Sequence, residues 1–362
     1  MTIYYFIILG LLGLGYVLTE KRKERNKTFC YLSISCFVLT FFASFRYAIG
    51  FDYFSYQDIY EKIKEGTFGD ILSYKQEPLF FIVCRLFGKM GCSFSVFLFG
   101  VNLFLFFVAM RFIYQESKMP WISVYLYSTL QFLAYNMNLV RQSIAVAFFI
   151  LAYPYLKNRR VVPFTVFIVL GGLFHNSLFF LSPFYYLLPK KHTKKSFLWT
   201  IVLTISVYFL CDPIIQIIEP FLPGRYKEYL LSYFWSPNSF VYVLPPLGYF
   251  ICIYSFCKQI KDTNLKTIYF NSAFYYFIIS LFITKHFILE RFSIYPFTLS
   301  FIAIPEIIVS YQKKKYKKRY PQILILFLIL GGIYFFFAAA KGYHHVYPYI
   351  SLLQRSHSIP NR

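Results

Sequence analysis

The sequence predicts an all-α polytopic integral membrane protein, and three observations carry that prediction. Of the 362 residues, 58% are hydrophobic and 23% aromatic, whereas only 14% are charged, against roughly 25% in soluble domains. Apolar runs long enough to cross a bilayer, which takes about 20 residues, recur along the whole chain. The basic residues behind the net charge of +22 fall in short clusters between those runs, where membrane proteins keep them on the cytoplasmic side. That clustering argues against nucleic acid, which asks for a basic stripe on one face of a folded domain. No polar block is long enough to fold alone, so residues 1–362 read as a single membrane domain.

The apolar runs are 2–19, 28–45, 93–113, 120–136, 139–156, 161–174, 177–189, 196–213, 239–257, 267–284, 291–309 and 322–340, about twelve transmembrane helices. The first lacks a basic leader and a small-residue cleavage site and is read as a retained helix. The segment 78–91 is excluded, because Arg85 and Lys89 leave too short an apolar stretch after the helix start at Glu77-Pro78. Orientation supports the exclusion. Without a crossing there, the clusters Lys21–Lys27, Arg111/Lys118, Lys157–Arg160, Lys190–Lys195, Lys258–Lys266 and Lys313–Arg319 share one side and hold well over half of the basic residues. A crossing would put most downstream basic residues outside, against the positive-inside rule. Both termini are therefore expected outside the cytoplasm.

This topology places the loops 46–92 and 212–238, the turns at Arg141, His175 and 285–291, and the tail from Lys341 on the extracytoplasmic face. Within 46–92, Ser55-x-x-Asp58 reads as a capping box. Tyr56, Ile59, Tyr60 and Ile63 then recur at helical spacing up to Gly66, which predicts an amphipathic helix lying on the membrane surface. The cytoplasmic loops are short and carry no phosphate-binding loop, so no nucleotide cofactor is expected. Seven cysteines without a CxxC and six scattered histidines without a metal spacing predict structural thiols and no tightly bound metal.

The stretch Asn136–Ser143 places Asn136, Asn138, Arg141 and Gln142 between two apolar runs. Polar groups at membrane depth are functional unless a local partner explains them. At the outer start of a helix, free N–H groups and the helix dipole favour an anion, and an Arg adds a planar fork suited to phosphate; an Arg reaching for lipid headgroups is the plainer alternative. His175 and Asn176 interrupt another apolar hairpin whose halves hold only about 13 residues each, so the imidazole is expected to be recessed and fit to act as a base. It could equally bond its own hairpin backbone. Arg46 and Asp52 flank Gly50, so that Asp52 is either a second candidate base or the ionic partner of Arg46. Glu77 caps the helix opened by Pro78 or binds substrate. His286, Glu290 and Arg291 form a further charged group at an outer helix end, and Arg225 sits in a loop that could cover a ligand.

Taken in order, Arg46-Tyr47 through Gly50-x-Asp52-Tyr53, Glu77-Pro78-Leu79-Phe80, Asn138-x-x-Arg141-Gln142-x-x-Ala145, Phe174-His175-x-Ser177 and Arg291-x-x-x-Tyr295-Pro296 resemble the EpsG-like branch of Wzy-type polysaccharide polymerases. The resemblance implies a fold similar to the C-type membrane glycosyltransferases, with surface helices in the first outer loop. It implies a glycosyltransferase in the bacterial inner membrane, with its site on the extracytoplasmic face, that builds an O-antigen, capsule or exopolysaccharide. Donor and acceptor would be oligosaccharides on undecaprenyl pyrophosphate, the growing glycan moving to the end sugar of a new unit, with inversion. Arg141, with Arg46 or Arg291, would stabilise the leaving pyrophosphate, and Asp52 or His175 would take the acceptor proton. Asn138, Gln142, Asn176, Glu77, Arg225, His286 and Glu290 complete the expected binding set. A chain-length regulator is a further candidate partner.

Two other readings compete. An O-antigen ligase would use the same donor, but that family carries a large outer loop late in the chain and 212–238 is short. A lipid-oligosaccharide flippase or transporter would line a path through both leaflets, whereas the polar groups here gather on one side.

Overall fold

The computed structural model describes residues 2–20, 24–66, 69, 77–221, 224–232, 235–312, 316 and 318–357. Their regular elements are all helices, and the only strand-like feature among the described residues is an isolated antiparallel bridge between Arg46 and Ser351. The chain divides into two compact units, one of residues 1–182 with 301–362 and one of residues 183–300.

The first unit opens with α1 (Thr2–Gly15), α2 (Arg25–Ser44), α3 (Tyr53–Glu65), α4 (Pro78–Lys89) and α5 (Phe94–Glu116). It continues with α6 (Pro120–Thr129), α7 (Phe132–Asn138), α8 (Val140–Lys157) and α9 (Val161–Gly172). The second unit holds α10 (Phe184–Leu187), α11 (Lys194–Ile218), α12 (Gly224–Leu231), α13 (Leu244–Phe256), α14 (Thr263–Ile283) and α15 (Glu290–Phe297). The chain then returns to the first unit through α16 (Ser300–Ser310) and α17 (Tyr320–Ala340).

Among the described residues, six helical stretches are long and apolar enough to cross a membrane, Thr2–Glu20, Arg25–Ser44, Phe94–Glu116, Lys194–Phe221, Phe240–Gln259 and Tyr320–Ala340, and the pair Phe287–Phe297 and Ser300–Ser310, bent by 42°, is either a broken span or a re-entrant loop. The protein is a multi-pass membrane protein. Several of the other apolar runs are interrupted. The run 120–136 breaks at Leu130–Gln131, where Gln131 takes a left-handed φ of 72°. The run 177–189 is a 3-10 stretch, Asn176–Leu181, followed by the four-residue α10.

Outward-facing Phe, Leu and Ile residues line α1, α11 and α17, as expected where lipid replaces water as the solvent. Polar links tie the first unit together from within. Asn102 donates to Ser44 Oγ at 3.1 Å between α5 and α2, and the Tyr125 hydroxyl donates to Leu328 O at 2.6 Å between α6 and α17. Bonds of this kind replace the hydrophobic force that helices lack in lipid.

Two expectations for the loop 46–92 are corrected. The helix α3 begins at Tyr53 with Asp52 at its N-cap position, so Ser55 lies inside the helix and Ser55/Asp58 form no capping box. The amphipathic face is real, with Tyr53, Tyr56, Tyr60 and Ile63 buried, but protein covers it. Tyr60 stacks on Phe97 of α5 at 4.9 Å between ring centroids, and Tyr56 lies 5.7 Å from the Phe80 ring of α4. Buried aromatic pairs are worth about 0.5–1.5 kcal/mol beyond their area, enough to seat α3 on α4 and α5. The helix α4 has 12 residues, about 18 Å long and too short to cross.

Candidate active site

Three segments that sequence reading treated separately meet on one carboxylate. Glu77 precedes Pro78 at the start of α4 with φ 55°, and its side chain makes no capping bond. Pro78 at the first helical position has no N–H to satisfy, and the carboxylate turns away from the helix end. Oε2 accepts from Arg141 Nη1 at 2.6 Å, and Oε1 lies 2.6 Å from His175 Nδ1. The Glu77 side chain is 7% exposed. Burial would raise its carboxyl, but the hydrogen bond from His175, the Arg141 charge and the Asn176 N–H together hold it below the ordinary glutamate value. The capping alternative for Glu77 is thereby corrected.

Local backbone explains how each partner is presented. Leu139 leaves helical geometry (φ −94°, ψ 60°), and the chain restarts as α8 at Val140, which aims Arg141 sideways at the first turn. His175 is extended (φ −156°) between α9 and the 3-10 stretch that follows. The tight hairpin depends on Gly171, where a Cβ would fall 2.4 Å from Leu178 and 2.5 Å from Phe148. The guanidinium of Arg141 lies beside two neighbouring rings, 5.6 Å from the centroids of both Tyr56 and Phe80. Such cation–π contacts add about 0.5–2 kcal/mol.

An ionised carboxylate only accepts, so His175 Nδ1 carries a proton and, in the neutral ring, Nε2 presents a lone pair. A carboxylate that fixes the tautomer of an imidazole is the device of general-base catalysis. Among the described residues, buried His175 Nε2 has no hydrogen-bond partner, and neither does buried Arg141 Nε. Leaving a buried polar atom unmatched costs about 1–3 kcal/mol, and these two atoms flank Glu77.

Around this centre, Asp52 donates its backbone N–H to Asn138 Oδ1 at 3.2 Å, and its carboxylate acts electrostatically on Arg141. Asn138 Nδ2 in turn donates to His344 Nδ1 at 2.9 Å, which the tail brings across from the far end of the sequence. Burial drives the His344 imidazole down to about 3, so it is neutral. Asn136 donates to the Tyr127 hydroxyl at 2.8 Å, and Gln142 is buried in the first turn of α8.

The tail is fastened just beyond His344. Gly50 donates to His345 O at 3.0 Å, Tyr47 to Ile350 O at 2.9 Å and Leu352 to Phe45 O at 2.9 Å, while Phe51 stacks on His345 at 3.7 Å. Sequence reading gave the tail histidines little weight, and the only local signal was their position beyond the last span.

Arg46 stands apart. It is 1% exposed, donates to the carbonyls of Ala43 and Ile49 and lies 5.8 Å from the Tyr53 ring. Burial lowers its guanidinium to about 10, so it remains charged at neutral pH. It forms no ion pair with Asp52 among the described residues, which corrects that alternative. His286, Glu290 and Arg291 belong to the second unit, where Glu290 and Arg291 open α15 and His286 Nε2 meets Asp212 Oδ1 at 2.7 Å. The backbone of Arg225 lies in α12, and its side chain falls outside the described residues.

The match to known families covers all of this. Residues 29–351 match the EpsG family. The chain belongs to the EpsG family. EpsG proteins are Wzy-like polysaccharide polymerases. No curated protein and no solved structure matches the chain. In this EpsG protein the matched residues include Asp52, Glu77, Arg141, His175 and His344 alike, so the whole polar constellation lies within the family's span.

Proposed function

We propose that the protein polymerises lipid-linked oligosaccharide repeat units on the extracytoplasmic face of the bacterial inner membrane, with Glu77, Arg141 and His175 as its reaction centre. The observation that carries this reading is the pair of buried, unmatched atoms on either side of Glu77: a lone pair on His175 Nε2 and a donor on Arg141 Nε. One suits a base, the other an anion. A transfer from undecaprenyl pyrophosphate needs both.

In that reaction the acceptor sugar hydroxyl attacks the anomeric carbon of the growing glycan. Its proton passes to His175 Nε2 as the new C–O bond forms. The bond to the carrier breaks, and the pyrophosphate leaves with the electron pair. Glu77 holds the ring in the required tautomer and stabilises the imidazolium that forms. Arg141, fixed by Glu77 and the two rings, offers its remaining N–H groups to the pyrophosphate oxygens. Attack opposite the leaving group inverts the anomeric configuration. Asp52 is assigned a supporting role, holding Arg141 by charge and Asn138 through its backbone.

The test is to incubate the purified protein in detergent with the undecaprenyl-pyrophosphate-linked repeat unit of its own pathway and no nucleotide sugar. A ladder of products with release of carrier pyrophosphate, lost in His175→Ala and Arg141→Ala, is expected. Transport of the intact unit across vesicle membranes without any ladder would sink the enzyme reading.

A further inference from the structure

The second unit carries a group of side chains that the polymerase reading does not use. Cys211 and Asp212 lie near the end of α11, and His286 lies in the turn before α15. Their ligand atoms all fall within 4.8 Å of one another. Cys211 Sγ is 3.5 Å from Asp212 Oδ1, and His286 Nε2 is 2.7 Å from the same oxygen.

We propose that Cys211, Asp212 and His286 form a binding site for a single zinc-class divalent ion. Two of the three spacings are close to those the ion needs, and the third, Cys211 Sγ to His286 Nε2, lies within 4.8 Å. Tetrahedral zinc bonds of about 2.3 Å to sulfur and about 2.0–2.1 Å to nitrogen and oxygen separate sulfur from oxygen by about 3.5 Å and nitrogen from oxygen by about 3.3 Å. The first matches as it stands, and the second needs an opening of roughly half an ångström. A thiolate and an imidazole beside one carboxylate select zinc over calcium or magnesium, which take oxygen ligands. Three protein ligands leave a fourth position for water.

The surroundings of His286 suit a ligand role as well. Its Nδ1 lies 3.0 Å from the carbonyl oxygen of Trp235, which can only accept, so Nδ1 bears a proton. Nε2 faces Asp212 Oδ1, and an ion bound between them would take the place of a proton shared there. A backbone carbonyl holding the far nitrogen is the usual support of a metal-bound histidine. The support is itself built in: Phe287 donates to Ser236 O at 3.1 Å, Asn238 donates to Thr284 O at 3.2 Å, and Trp235 stacks on His286 at 4.0 Å. An ion here would tie the end of α11 to this turn and to the segment carrying Trp235.

One charge opposes it. Lys285 Nζ lies 2.5 Å from Asp212 Oδ2 and 4.9 Å from the Tyr208 ring centroid. It neutralises the carboxylate from its other oxygen and leaves Oδ1 for the ion. The site is therefore expected to bind, but less tightly than one without the ammonium.

The test uses the full-length protein in detergent, stripped with chelator and titrated with zinc chloride by calorimetry and with cobalt(II) by absorption. Saturable binding of one ion per chain is expected, with a thiolate-to-cobalt absorption band and a change in Trp fluorescence. Cys211→Ser should abolish the band, and both Cys211→Ser and His286→Gln should weaken zinc binding by at least about tenfold. Lys285→Met keeps every ligand and should tighten it. Absence of saturable binding, a cobalt band that survives Cys211→Ser, or an affinity unchanged by Lys285→Met would each overturn the site and leave a plain cluster of Lys285 and His286 on Asp212.

Discussion

His175 donates its Nδ1 proton to a glutamate 98 positions earlier in the chain, and the 2.6 Å bond joins two hairpin breaks that no local pattern connects. Glu77 is thereby the hinge of the site. Removing its charge while keeping its shape is the sharpest probe of it. Glu77→Gln should lower the rate of chain extension by about a hundredfold or more, the scale of a lost, correctly oriented general base, while the protein keeps its thermal stability to within a few degrees. The check is the ladder assay beside a melting curve. A glutamine variant of near-normal rate would remove Glu77 and the His175 tautomer argument together.

Arg141→Lys preserves a positive charge but not a planar group. An ammonium can still reach Glu77, yet it loses the planar contact with the Tyr56 and Phe80 rings and offers no second edge to a pyrophosphate. We expect a loss of extension rate of at least about tenfold, expressed more in turnover than in apparent affinity for the lipid-linked unit. Steady-state kinetics in detergent would show it, and full activity in the lysine variant would reduce Arg141 to a point charge.

What the sequence revealed and what it concealed divide along physical lines. Arg141 and His175 were legible because a charged or ring-nitrogen group interrupts an apolar run. The same signal picked out Arg46, whose needs are met by the nearby carbonyls of Ala43 and Ile49, a distinction that depends on backbone directions. Glu77 was legible as a helix start, while its partners, 64 and 98 residues away, were not. The helix α3 showed its apolar face, but nothing in its spacing says whether lipid or α4 covers that face. The breaks at Gln131 and in 177–189 lie in runs that look continuous by composition.

Gly50 has φ +98°, and a Cβ there would sit 2.8 Å from Met137 O and 3.3 Å from Asn138 Oδ1. Gly50→Ala should destabilise the fold by about 1–3 kcal/mol, the range for strained backbone, and should also reduce activity by displacing Asn138. Differential melting of the variant measures the first and the ladder assay the second. An alanine variant as stable as the parent would show that the turn can relax.

The His344 imidazole is held at about 3 in the fold against 6.5 when exposed. The unfolded chain therefore binds a proton that the folded chain refuses between those values, and stability falls as pH drops from about 6.5 toward 3. His344→Gln, which can still accept from Asn138, should flatten that slope in melting curves across the same window. An unchanged slope would place the acid sensitivity elsewhere.

Reporter fusions test the orientation. Alkaline phosphatase fused after Ser236 should be active, and green fluorescent protein fused after Lys258 should fluoresce, because the proposed topology puts the first outside and the second inside. The reverse pattern would turn the reaction centre toward the cytoplasm and remove the lipid-linked donor from its reach.

The fastening of His345, Ile350 and Leu352 to Gly50, Tyr47 and Phe45 also sets an order of assembly. A ribosome delivers the loop after α2 hundreds of residues before the segment that secures it. Throughout that interval the loop can be inserted and α3 folded, yet Asn138 lacks the imidazole that holds its amide. On the proposed mechanism, a chain stopped short of residue 352 would lack these bonds, and its loop after α2 would stand unfastened beside an otherwise finished site.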